Sequence, residues 1–274
     1  MSAGVLAQRG LVMEALDALR QAVSLGPSIA WMRLSLANQL AQIGRLDEAV
    51  AEFNQAIRLD PNNLSYRMQL TNFYWFRQQP LLALPHLEAA VAIEPTSAEA
   101  HGWLGQVYLA LGQLTPAQRE MDIALRLSPQ DVRLLVNTGI LYLQLSQPDL
   151  AEGYLQQATQ LNPTATQPHV LLCQLYWTSN RVGELNTALQ TLTRIDASLA
   201  QQVQMQLQAM RVQSMGQPYN QQAALQAQWR AWLQAQSQAA HGQPWSPTQT
   251  AAQTPPPSGT GAPGRDSGLP PRPW

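Results

Sequence analysis

The sequence predicts an all-α fold, a solenoid of helix–turn–helix units laid side by side, and three observations carry that expectation. Proline returns every 34 residues, at Pro27, Pro61, Pro95, Pro129 and Pro163. Two alanine registers keep the same interval: Ala15, Ala49, Ala83, Ala117 and Ala151, then Ala22, Ala56, Ala90, Ala124 and Ala158. Between them stands a large apolar residue, in turn Leu19, Phe53, Leu87, Met121 and Leu155. These offsets are three or four apart, so the three side chains share one helical face. Small residues on that face let a neighbouring helix come close while the large one fills the gap. A repeat of this length is one supersecondary unit that buries its apolar face only by stacking on the next.

Each unit reads as a first helix, a turn, a second helix and a proline-marked turn. The first unit, residues 1–29, looks truncated: its first helix keeps only about residues 2–9 before a turn at Gly10. Either the chain starts mid-repeat or an upstream part is missing, and apolar surface at that end would favour self-association. Units at 30–63, 64–97, 98–131 and 132–165 are in good register, with internal turns at Gly44, Gln78, Gly112 and Ser146. Glycine suits the left-handed residue that closes a helix. Pro80, Pro116 and Pro148 fit the first turn of their second helices, where no backbone N–H is missed. Pro85 lies deeper in its helix, at a cost of about 3 kcal/mol, and predicts a late helix start or a kink near residues 81–85. The unit at 166–199 is degenerate. It turns at Asn180 but carries Leu185, Leu189 and Leu192 at the alanine, large and alanine registers, with Ala197 where proline belongs, so its second helix must pack differently.

Past Ala197, residues 198–214 read as a capping helix with Leu199, Val203, Leu207 and Met210 on one face. Gly216-Gln217-Pro218 breaks it, and 220–239 reads as a second, glutamine-rich helix bearing Leu225, Trp229, Trp232 and Leu233. Residues 198–240 thus form C-terminal capping helices after a solenoid spanning 1–197. The segment 241–274 is rich in proline, glycine, serine and threonine, and cannot bury enough apolar area to offset its ordering entropy. It reads as a disordered tail.

The registers of Leu104, Gly105, Tyr108, Ala117, Met121, Ala124 and Pro129, and of Leu36, Ala37, Gly44, Ala49, Phe53, Ala56 and Pro61, resemble the tetratricopeptide repeat family over about residues 1–197. The resemblance implies a right-handed superhelix and a protein-binding role, with an inner groove lined by set positions of each first helix. Carried onto this chain, with Trp103 added from the adjacent position, those positions give Trp31, Leu34, Asn38, Met68, Asn72, Trp75, Trp103, Gln106, Arg133, Ile140, Gln174 and Trp177. A branch of the family clamps a C-terminal carboxylate with lysines. This chain has no lysine, all sixteen basic residues being arginine, so no acidic-tail clamp is expected.

What remains in the groove is indole, thioether, aliphatic and amide. Rigid aromatics and adaptable methionine resemble protein-binding hot spots, and amides satisfy a polypeptide backbone. Packing between neighbouring helices accounts for the tryptophans equally well from sequence alone. The expected partner is a neutral or apolar protein segment. Nucleic acid is disfavoured, since net charge is −1 and the arginines are dispersed among acids.

Chemistry has little footing. No nucleophile elbow, phosphate loop or dinucleotide fingerprint is present, and the missing lysine excludes Schiff-base chemistry from this chain. His169 and Cys173 are four apart on one helix, too few ligands for zinc, and Cys173 fills the small-residue slot of Ala37, Thr71, Gly105 and Gly139. No cofactor or metal is expected. A lone cysteine, no visible leader and no run of about 18 apolar residues point to a cytoplasmic protein without a membrane span. The expectation is a non-enzymatic adaptor. Alternatives are an assembly protein pairing through 1–29 or 220–239, and a substrate-selecting accessory subunit.

Overall fold

The computed structural model describes the backbone over residues 3–214 and side chains over 13–209; the segments 220–239 and 241–274 lie outside the described residues. Every element within that range is helical. A single helix, α1 (Ala3–Leu25), precedes five helix pairs: α2 (Ala30–Gln42) with α3 (Leu46–Leu59), α4 (Leu64–Phe76) with α5 (Pro80–Ile93), and α6 (Ala98–Ala110) with α7 (Leu114–Leu127). The last two pairs are α8 (Val132–Gln144) with α9 (Pro148–Leu161), and α10 (Thr166–Thr178) with α11 (Val182–Ile195); α12 (Ala197–Ser214) follows.

The turn inside each pair is the same left-handed closure. Gly44, Gln78, Gly112, Ser146 and Asn180 all have positive φ, between 57° and 82°. At each, the next residue's N–H reaches back five positions, as in Arg45 to Leu40 (2.9 Å) and Gln113 to Tyr108 (2.8 Å). This double closure satisfies carbonyls that a helix end leaves orphaned. The first helices of three pairs open on a side-chain cap: Asn63 accepts from the Ser65 N–H, Ser97 from Ala100, and Asp131 from Arg133 and Leu134.

The core is the repeated seam. Ala49, Phe53 and Ala56, and their counterparts in α5, α7 and α9, are all buried. Each large member contributes about 1.5–3 kcal/mol by burial. The alanines and Gly105 and Gly139 set the spacing: a Cβ on Gly139 would stand 2.8 Å from Leu155 Cγ.

Three expectations meet the coordinates differently, and the altered packing expected of the degenerate unit is seen in α11. No turn occurs at Gly10; α1 runs through it. Residues 3–9 are too few to persist as a separate helix, while a glycine inside a helix costs only about 1 kcal/mol. The buried face of α1 is accordingly rotated. Leu16 and Val23 are buried against α2, whereas Ala15 is exposed and Leu19 half-buried, because no helix among the described residues covers that register. Helix α5 starts at Pro80, not later, and continues past Pro85. The carbonyl that Pro85 leaves unpaired belongs to Leu81, an exposed residue that water can serve. In α11 the buried residues are Ala188 and Leu192, while Leu185 and Leu189 are half-buried, so the degenerate unit seats its second helix on a shifted face.

Candidate inner-wall interface

Skipping one element, α6 meets α8, α8 meets α10 and α10 meets α12. Side chains join the others: Asn38 Nδ2 on α2 donates to Gln69 Oε1 on α4 at 3.0 Å, and Trp75 on α4 meets Trp103 on α6. The first helices therefore lie flank to flank as one wall, and α12 continues it.

The charge on that wall is sparse. Histidines aside, the titratable acids and bases of helices α2, α4, α6, α8 and α10 that carry charge are Arg33, Arg67, Glu99 and Arg133. Arg33 and Arg67 turn toward the repeat-end prolines: Arg33 Nε donates to the Pro27 carbonyl at 2.9 Å and Arg67 Nη2 to that of Pro61 at 3.1 Å. At the same register, His101 Nε2 lies 3.0 Å from the Pro95 carbonyl and His169 Nε2 lies 3.1 Å from that of Pro163. This latch was missed in the sequence, although a donor side chain stands six residues after each of those prolines. Charge is concentrated on the second helices; the Arg33–Glu52 ion pair (2.8 Å) closes one unit on itself, and Arg181–Glu152 (2.6 Å) ties two successive units together.

The expected groove residues divide by exposure. Trp31 is 57% exposed. Arg133 is exposed and folds back on Asp131, 3.3 Å away. Leu34, Asn38, Asn72, Trp75, Trp103, Gln106, Ile140 and Trp177 are half-buried, each offering an edge to solvent while packing its base on the wall. Met68 and Gln174 are 7% and 9% exposed and offer little surface. The Gln174 Oε1 atom has no hydrogen-bond partner.

At the centre, the Trp75 and Trp103 rings meet edge to face with centroids 5.8 Å apart. Beside Trp103 a shallow notch is bounded by Glu99, Gln106, Arg133, Leu134 and Asn137. Its floor is Gly102, where a Cβ would stand 2.4 Å from Leu134 Cδ2. Gln69 and Asn137 were not among the expected groove residues; they stand one unit-register from Trp103, and their amide character was the available signal. The wall is thus a ladder of indole and amide groups, able to bury apolar side chains while meeting a backbone's donors and acceptors.

Cys173 is buried, and burial pushes its thiol up to about 12. Among the described residues, no group of three or more His, Cys, Asp or Glu side chains is placed to hold a metal ion. No helix among them is long and apolar enough to cross a membrane.

Two tetratricopeptide repeat models match the sequence, at residues 3–63 and 77–137. No curated protein matches it significantly. Among solved structures, PilF of Pseudomonas aeruginosa is similar at 21% identity, over 72% of this chain and 90% of that one, with a TM-score of 0.58. MamA of Desulfovibrio magneticus RS-1 is similar at 25% identity, over 57% and 89% of the two chains, with a TM-score of 0.51. YrrB, described as a tetratricopeptide protein with an unusual peptide-binding site, aligns at 19% identity over 69% and 99%, with a TM-score of 0.53. With its 34-residue register running through and beyond both matched segments, the chain carries tetratricopeptide repeats and folds as their helical solenoid.

Proposed function

We propose that this chain is a non-enzymatic scaffold that holds a neutral, largely apolar segment of a partner polypeptide along its inner wall. The observation that carries the reading is the composition of that wall. Asn38, Asn72 and Gln106 recur at one register, Trp75 and Trp103 stand between them, and charge is displaced to the second helices. Aromatic anchors supply contact area at low entropic cost, and primary amides pair with a backbone of any sequence. The peptide-binding site of YrrB, a neighbour in fold, is in keeping with this use of such a wall.

The test is selection of binders from a displayed library of uncharged peptides, followed by titration of the best one. Trp75→Ala is expected to weaken binding at least tenfold while the helical circular dichroism is retained, as for a hot-spot residue. Affinity should be nearly constant between low and moderate salt, because charge steering contributes little. A folded Trp75→Ala protein that binds with undiminished affinity, or binding that collapses with salt, overturns the proposal.

A further inference from the structure

The repeats are near-copies, so each position can be judged against its counterparts. At the register of Tyr74, Tyr108, Tyr142 and Tyr176, the preceding unit carries Leu40. In the later units the ring fills the angle between its own helix pair and the second helix before it. The Tyr108 hydroxyl donates to Glu88 Oε1 (3.1 Å), and the Tyr176 hydroxyl donates to Glu152 Oε1 (3.0 Å) while accepting from Gln156 Nε2 (3.3 Å). Tyr142 lies nearly flat against Tyr154 at 5.5 Å, and Tyr74 against His86 at 6.0 Å.

Around Leu40 the same surroundings stand without a ring. Arg20 holds the register of Glu88 and Gln156, and Glu52 that of His86 and Tyr154. The Arg45–Glu48 pair repeats Arg181–Glu184, whose arginine lies 4.8 Å from the centre of the Tyr176 ring. Here α1, α2 and α3 enclose a cleft of about 380 Å³. Val23, Leu36 and Leu40 give it an apolar floor, and Arg20, Glu48 and Glu52 stand in its walls. Its volume falls within the range of ligand pockets, about 300–1,000 Å³.

We infer that this cleft is a socket for a tyrosine side chain presented by a partner polypeptide, seated as the chain's own tyrosines are seated in the later units. The lining selects a neutral phenol. Arg33 and Glu52 satisfy each other at 2.8 Å. Arg20 reaches Glu48 Oε2 only at 3.6 Å and Asp17 at 3.7 Å, and Arg45 holds the other Glu48 oxygen. An Arg20 N–H and Glu48 Oε2 thus stand as donor and acceptor for one hydroxyl group. A phosphorylated tyrosine would have to displace Glu48 and Glu52 from Arg20 and Arg33, leaving its charge beside two unpaired carboxylates. A leucine would fill the floor and leave the polar wall unmet. The cleft is built by α1, α2 and α3, apart from Trp75 and Trp103, so this assignment does not rest on the inner-wall reading.

The test is amide NMR of the full chain titrated with N-acetyl-L-tyrosinamide, with the phenylalanine, leucine and phosphotyrosine analogues as comparisons. Saturable shifts are expected at Val23, Leu36 and Ala51, with several-fold weaker binding of the phenylalanine analogue and none of the phosphotyrosine one. Leu40→Tyr should fill the cleft, abolish the shifts and raise the unfolding temperature. Ala51→Phe, an exposed site at the cleft's edge, should block binding without depending on the core. Trp75→Ala should leave the titration unchanged, which separates this socket from the inner wall. Absence of saturable shifts, equal binding of the leucine analogue, or undiminished binding by either blocking variant overturns the assignment.

Discussion

Trp75 and Trp103 meet edge to face across two successive units, their planes inclined by 75° and their centroids 5.8 Å apart. Each ring belongs to a different helix pair, so the contact serves both as part of the inner wall and as a bond between units. In a solenoid, stability is a sum of unit and nearest-neighbour terms, and this pair is one of the neighbour terms. A double-mutant cycle of Trp75→Ala and Trp103→Ala in urea should return a coupling of about 0.5–1.5 kcal/mol beyond area burial. Additive single losses would mean that the rings touch without stabilising the joint.

Glycine plays opposite roles within these helices, and substitution separates them. Gly139 faces Leu155 so closely that a new Cβ would lie 2.8 Å from its Cγ and Cδ2 atoms. Leu155 is itself fully buried and has no room to withdraw. Gly139→Ala should therefore destabilise by about 1–3 kcal/mol despite alanine's higher helix propensity. Gly153, in α9, has nothing within 4 Å of its virtual Cβ. Gly153→Ala should stabilise by about 0.5–1 kcal/mol. Chemical denaturation of the two variants checks both signs.

Much of this architecture was legible because the repeat fixes positions independently of composition. The buried seam of Ala49, Phe53 and Ala56 and the turns at Gly44 and Gly112 follow from the 34-residue spacing alone. What was illegible lay where the register has no partner to meet. Ala15 and Leu19 obey the pattern, yet among the described residues α1 meets no companion helix on that face, so Leu16 and Val23 are buried instead. At the inner wall, sequence named the positions but not their depth. Met68 and Gln174 share the groove's registers with residues left half-exposed, and only neighbouring side chains decide which of them water reaches. The bridge from Asn38 to Gln69 escaped notice because it joins different registers in adjacent units.

His86 introduces a pH dependence with a definite sign. It lies half-buried and stacked on Tyr74, and burial together with the nearby Arg67 guanidinium holds its imidazolium form at a disadvantage. Its folded pKa is therefore below the unfolded value near 6.5. The unfolded chain binds a proton that the folded chain resists, so stability rises with pH between the two values. The contribution is complete above about pH 6.5 and is lost as pH falls toward the folded pKa. Thermal melts of the protein and of His86→Phe should differ in slope over this window, the variant losing less stability in mild acid. Identical slopes would show that His86 titrates freely.

Cys173 supplies a reporter of local opening. The thiol is buried between helices and shifted up to about 12 by desolvation, so the nucleophilic thiolate is scarce at neutral pH. A disulfide-exchange reagent should label it orders of magnitude more slowly in the folded chain than in denaturant. Labelling should accelerate in step with the unfolding of α10 seen by hydrogen exchange. Prompt modification under native conditions would contradict the packing of α10 against its neighbours.

The left-handed turns offer a pair of substitutions with opposed outcomes. Ser146 and Gly112 occupy equivalent turns, with φ of 59° and 73°. For a residue with a Cβ, the left-handed conformation costs about 1–2 kcal/mol; glycine avoids that cost but gains about 0.4–1 kcal/mol of unfolded-state freedom. Gly112 has open space around its virtual Cβ, so Gly112→Ala tests backbone strain without a clash. It should lose about 1 kcal/mol, and Ser146→Gly should gain up to about the same amount. Equilibrium unfolding measures both. If the two changes share a sign, the closure of each unit is governed by something other than the handedness of its turn.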